Sequence, residues 1–167
     1  MNDLPTRKRN RLIGYDYSKN GAYFITICVK NRHNILGQVE SGGDFNIPQV
    51  QLSLYGKYAE KHILRINEIY KNIFVDKYII MPNHIHMIVL VSKSESGMSR
   101  APSPTNALIP NTISTCKRFI NMECGFNIFQ RSYHDHIIRN EKEFYEISQY
   151  IETNPLKWSD DCFFTEI

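Results

Sequence analysis

Residues 73–92 constrain this chain more than any other stretch. Segments 73–80 and 84–92 are both dense in apolar and β-branched residues, and Met81-Pro82-Asn83 stands between them. Pro82 has no N–H to give to a ladder, so it belongs to a connection and not to a strand interior. The stretch therefore reads as two strands folded against each other across a tight turn. Neither is built to span a bilayer: the longest unbroken apolar run, 87–91, falls far short of the roughly 20 residues needed. The charged opening Arg7-Lys8-Arg9 has no apolar signal core behind it, so the expectation is a cytoplasmic protein.

The rest of the chain supplies partners for that hairpin. Segment 22–29, Ala-Tyr-Phe-Ile-Thr-Ile-Cys-Val, reads as a largely buried strand, with Asn20-Gly21 before it and Lys30-Asn31-Arg32 after it. A short strand over 36–40 runs into a Ser-Gly-Gly-Asp turn. Over 54–69 the apolar Leu54, Tyr58, Ala59, Ile63, Ile66 and Ile69 recur at helical spacing, which predicts an amphipathic helix. Segments 112–123 and 141–153 read as further helices, the second ended by Asn154-Pro155, and 128–138 reads as another strand. The Ser- and Pro-rich segment 92–111 reads as a mobile surface loop. Strand pairs with helices between them predict a mixed α+β domain built on an antiparallel sheet. There is no Gly-rich phosphate loop, so no nucleotide cofactor is expected. The 167 residues fit one domain, 1–167, whose core is large enough to fold without staples. Cys28, Cys116, Cys124 and Cys162 are scattered without a Cys-x-x-Cys pair, which predicts reduced thiols rather than a zinc knuckle.

The chemistry concentrates in two places. Side chains alternate along a strand, so His84 and His86 share a face and can converge on one ion while Ile85 turns to the core. Two hydrogen-bonded surface histidines would leave the same pattern. His134-Asp135-His136 repeats the spacing, but its charged middle residue offers no anchor in the core. On the last helix, Phe144, Ile147, Ser148 and Ile151 form one stripe, and Tyr150 and Asn154 sit side by side on its flank. A phenolic oxygen is a recognised covalent nucleophile, and an amide oxygen suits a hard cation. For Tyr150 the plain alternative is an amphipathic ring at a core boundary.

Several blocks follow one another along the chain. Tyr78-Ile79-Ile80-Met81-Pro82-Asn83-His84-Ile85-His86-Met87-Ile88-Val89 is followed by Arg131-Ser132-Tyr133 and Ile137-Ile138-Arg139-Asn140. Tyr150-Ile151-Glu152-Thr153-Asn154-Pro155 comes next, and Tyr15-Asp16-Tyr17-Ser18 and Gly21-Ala22-Tyr23-Phe24-Ile25-Thr26-Ile27 stand near the start. This order resembles the IS200-like transposases, and within them the REP-associated tyrosine transposase branch, over about residues 7–158. The resemblance implies an HUH endonuclease on a ferredoxin-like antiparallel sheet with helices packed on one face. It implies that His84, His86 and Asn154 are ligands of a divalent cation, Mg²⁺ or Mn²⁺. It implies that Tyr150 is the nucleophile, forming a 5′-phosphotyrosine when single-stranded DNA is cut and rejoined. Both dimers and monomers occur among such enzymes, so the oligomeric state stays open.

The expected partner is single-stranded or hairpin DNA. A net charge of +3 permits nucleic acid without demanding it, and the cations cluster. Arg7, Lys8, Arg9 and Arg11 form a basic arm within residues 1–14, and Lys117, Arg118, Arg131, Arg139 and Lys157 are candidates to neutralise backbone phosphates. Tyr15, Tyr17 and Tyr133 are candidates for base stacking, with packing as the alternative for each. Two rival functions remain, a nuclease in which water attacks and a non-catalytic DNA-binding regulator descended from a transposase. The complete set of His84, His86, Tyr150 and Asn154 weighs against the second.

Overall fold

The computed structural model describes residues 15–17, 19–42, 47–92 and 108–164. The basic arm with Arg7, Lys8, Arg9 and Arg11, and most of the expected loop, lie outside the described residues. Strands β1 (Gly21–Cys28), β4 (Ile73–Ile80), β5 (His84–Val91) and β6 (His134–Ile138) form an antiparallel sheet in the order β4-β5-β1-β6. Strands β2 (Gly37–Gly42) and β3 (Ile47–Leu52) pair separately as a ribbon. Three α-helices, α1 (Leu54–Ile69), α2 (Leu108–Cys124) and α3 (Glu141–Thr153), complete the core.

Alternation decides which face each residue serves. On one face Ile25, Ile27, Ile85 and Met87 pack with Ile63 of α1 and Ile113 of α2. On the other, Phe24, Ile88 and Ile138 pack with Phe144, Ile147 and Ile151 of α3. The expected antiparallel α+β fold is present, with α1 and α2 on the single face anticipated. Helix α3 takes the opposite face, because β1 and β5 carry apolar residues outward as well.

Three local boundaries differ from the sequence reading, each for a physical reason. Strand β3 was hidden by Pro48, which a two-stranded ribbon tolerates because its outer edge needs no donor. Helix α2 begins at Leu108, inside the expected loop, and Pro110 sits in its first turn, where an N–H would have no intrahelical acceptor. The expected strand over 128–138 shortens to β6. Its preceding carbonyls at Gln130, Arg131 and Ser132 are taken by the Lys117 ammonium at 2.5, 3.3 and 3.2 Å, leaving one bridge between Val29 and Phe129.

Helix α1 starts where Ser53 caps it, its hydroxyl oxygen accepting from the Gly56 N–H at 3.2 Å and donating to the Ile35 carbonyl at 2.6 Å. That arrangement brings the Leu36 backbone against the helix so closely that a Cβ on Gly56 would lie 2.0 Å from the Leu36 carbonyl oxygen. Alanine in a helix normally stabilises by about 1 kcal/mol over glycine. Here the clash reverses the sign, and Gly56→Ala is expected to lose about 1–3 kcal/mol, read as a lower thermal midpoint. A midpoint equal to or above the wild type would contradict the close approach.

Candidate metal and nucleophile site

Burying Ile85 on the α1 and α2 side sends His84 and His86 to the α3 side, where they are 0% and 2% exposed. The β1–β5 register sets Cys28 opposite His84 and Thr26 opposite His86. Thr26 then reaches the His86 Nδ1 with its hydroxyl at 2.9 Å, and Phe24 stacks on the His86 ring at 5.1 Å between centroids. Asn83, at the turn, does the same for its neighbour: its Oδ1 lies 2.9 Å from His84 Nδ1. The Asn83 amide nitrogen donates to the carbonyls of Arg32 at 3.2 Å and Phe163 at 2.7 Å, so its oxygen can only accept. His84 therefore carries its proton on Nδ1 and leaves the Nε2 lone pair free, the tautomer that ligates metals.

Helix α3 brings the remaining groups. Tyr150 hydroxyl lies 3.2 Å from His86 Nε2 and 3.3 Å from Asp161 Oδ2, and its ring is 37% exposed. Asn154, one turn on and 1% exposed, donates through Nδ2 to Asp161 Oδ2 at 3.2 Å. Two buried atoms here, His84 Nε2 and Asn154 Oδ1, have no hydrogen-bond partner among the described residues. Orphaned acceptors of this kind are rare in a native core, and a cation satisfies both at once.

Asp161 is the residue the sequence reading missed. His84, His86 and Asp161 offer ligand atoms all within 4.8 Å of one another, the one such group of three among the described residues. Asp161 follows α3 by a seven-residue 3₁₀ segment, Asn154–Asp160, and only the return of the chain across the site brings it in. Phe163 continues that return, its ring 4.6 Å from the His84 ring. No spacing rule flags a carboxylate placed this way. His134 and His136 are exposed instead, and His136 Nε2 pairs with Glu143 at 2.6 Å.

The electrostatics suit ligands held ready. Burial, then the Arg32 charge, holds His84 down to about 3, and burial, then His84, holds His86 at about 3 against the opposing pull of Asp161. Both rings are neutral at physiological pH, as metal binding requires. Burial, then the Asp161 carboxylate, pushes the Tyr150 phenol up to about 12. The protein alone therefore keeps the Tyr150 phenol protonated.

The candidate DNA residues divide by burial. Arg118, Arg131, Arg139 and Lys157 are exposed and Tyr15 is half-buried. Tyr17, 3% exposed, packs with Tyr15 and Tyr23, and Tyr133 is buried in the same core. Lys117 is 9% exposed and spends its ammonium on three carbonyls, and burial lowers it to about 8. Tyr17 and Lys117, expected at DNA, are thus buried, the ring of one and the ammonium of the other engaged within the protein.

No protein-family model matches the chain. Among solved structures, a REP-associated tyrosine transposase bound to a REP hairpin superposes with a TM-score of 0.60 at 18% identity, covering 92% of this chain and 74% of that one. The chain shares the fold of that structure, the fold that the resemblance read from its motifs implies. It is 30% identical to an uncharacterised protein of Haemophilus influenzae over 96% of its own length and 94% of that protein's, and it belongs to the same family.

The neutral histidine pair makes a pH prediction. Between about pH 6.5 and pH 3 the unfolded chain takes up protons that His84 and His86 refuse when folded. Stability is therefore fully present above that window and is lost as pH falls through it, by up to about 1.4 kcal/mol per pH unit for each histidine. Urea unfolding across the window should show a shallower pH slope for the His84→Asn/His86→Asn variant. Identical slopes would contradict the assignment.

Proposed function

We propose that this protein is a tyrosine transposase of the HUH endonuclease type, cutting and rejoining single-stranded DNA through Tyr150. One observation carries the reading: His84 Nε2 and Asn154 Oδ1, both buried and unpartnered, flank a phenol that lies 3.2 Å from His86 Nε2. The donor set of two imidazoles, an amide oxygen and a nearby carboxylate fits Mg²⁺ or Mn²⁺. When bound by His84, His86 and Asn154, such a cation supplies Lewis-acid polarisation of the scissile phosphate and stabilises the departing oxygen.

The chain's own groups do the rest. Asn83 and Thr26 fix the two rings, so no reorganisation is needed when DNA arrives. The Tyr150 oxygen attacks phosphorus, forming the tyrosine–phosphate bond as the bond from phosphorus to the 3′ oxygen breaks. Its proton passes to the Asp161 carboxylate at 3.3 Å, and the departing 3′ oxygen takes up a proton from solvent to leave as a hydroxyl. Because the ester linkage is conserved on Tyr150, a 3′-hydroxyl can reverse the attack and rejoin strands without ATP. The solved neighbour was bound to a REP hairpin, and hairpin-bearing DNA is accordingly the partner we assign here. Transposition of such an element in the cytoplasm is the biological role that follows. No helix among the described residues is long and apolar enough to cross a membrane.

The test uses single-stranded oligonucleotides copied from the DNA flanking the gene, incubated with protein and Mn²⁺ or Mg²⁺ and run on a denaturing gel. The expected result is a covalent protein–DNA band, lost with chelator and reduced at least about 10³-fold in Tyr150→Phe. Cutting without an adduct that survives Tyr150→Phe would replace this reading with a water-using nuclease. Metal-independent hairpin binding without cutting would replace it with a regulator.

A further inference from the structure

The face of α2 that carries Asn111, Arg118 and Met122 forms, with residues 125–133, an open groove of about 980 Å³. Lys30, Arg118 and Arg131 line it, and no Asp or Glu does. All three are exposed, and none has a carboxylate in ion-pair reach among the described residues. Phe126 stands in the same lining, 50% exposed, one face of its environment set by the Tyr55 ring at 5.5 Å. Lys117 ties α2 to the groove wall at residues 130–132 through its three carbonyl contacts.

The groove is a different surface from the metal site. It lies with α2 on one side of the sheet, whereas Tyr150 projects from α3 on the other. The two meet at one end of the sheet. Lys30 follows β1 directly, and the Val29 N–H is bonded to the Asn83 carbonyl, next to His84, at 2.8 Å.

Acid-free basic lining with one exposed aromatic ring is the pattern that grips an unpaired strand: cations track phosphates and the ring stacks a base. We propose that this groove binds an unpaired stretch of nucleic-acid strand, with phosphates on Lys30, Arg118 and Arg131 and a base against Phe126. This rests on the transposase reading only in taking that strand to be part of the DNA substrate. The strand then rounds the sheet at Lys30 to reach His84, so holding and cutting occupy opposite faces.

The test is fluorescence anisotropy in EDTA, with a labelled oligothymidylate and a blunt duplex of equal length as probes. Arg118→Ser/Arg131→Ser should weaken the single strand on the order of tenfold and flatten the log K against log salt slope by about 1.4, or about 0.7 per lost phosphate contact. Phe126→Leu keeps an apolar side chain against Tyr55 but loses the stacking face, and should weaken the single strand about fivefold while leaving the duplex unchanged. Wild-type affinity and salt slope in the double arginine variant would overturn the proposal. So would equal losses on the duplex with no response to Phe126→Leu, or no binding of oligothymidylate by the wild type. Absence of a Tyr150 adduct alongside intact groove binding would count against the transposase chemistry alone.

Discussion

Ile85 lies 0% exposed between the sheet and the helices α1 and α2, and that burial commits its two neighbours to the far face. A slip of one residue in β5 would bury the imidazoles among isoleucines and leave Ile85 outside, a change that inverts every side chain on the strand. The register with β1 is what prevents it. Thr26 stands opposite His86, and its hydroxyl, on the face away from α1 and α2, is the group that meets the ring nitrogen. Strand pairing, core burial and the orientation of the site are therefore one constraint and not three.

Holding polar groups in that position costs stability, and the fold offsets the cost locally. Asn83 satisfies His84 Nδ1 with its oxygen and ties the turn to residues 32 and 163 with its nitrogen. Arg32 reinforces the same segment, donating to the Cys162 carbonyl at 2.8 Å and lying 5.3 Å from the Phe163 ring centre. The segment so anchored carries Asp161, which joins Tyr150 and Asn154 through one carboxylate. At the site itself, two buried acceptors are left without a partner among the described residues, His84 Nε2 and Asn154 Oδ1. Such breaks of local consistency concentrate at functional sites, and two orphaned acceptors lie at the candidate one.

Much of this was legible in the sequence because it depended on periodicity. The bounds of α1, β4 and α3 follow from apolar spacing, and the shared face of His84 and His86 follows from strand alternation. The pairing of Tyr150 with Asn154 follows from the helical turn between them. What could not be read depended on groups distant in the chain. Lys117 looked like a surface cation, yet it lies under residues 130–132 and ends the ladder there. Tyr17 looked like a stacking ring, yet it closes the core beside Tyr23. Asp161 joins the site through a reversal of the chain that no local pattern announces.

We propose this sheet face as a divalent-metal site beside a nucleophilic Tyr150. Crystals soaked in MnCl₂ and measured for anomalous scattering test it most directly. The expected result is a peak within bonding distance of His84 Nε2, His86 Nε2 and Asn154 Oδ1 that disappears in His86→Ala. A strong manganese peak elsewhere with this site empty, or a peak here that His86→Ala leaves unchanged, would contradict it.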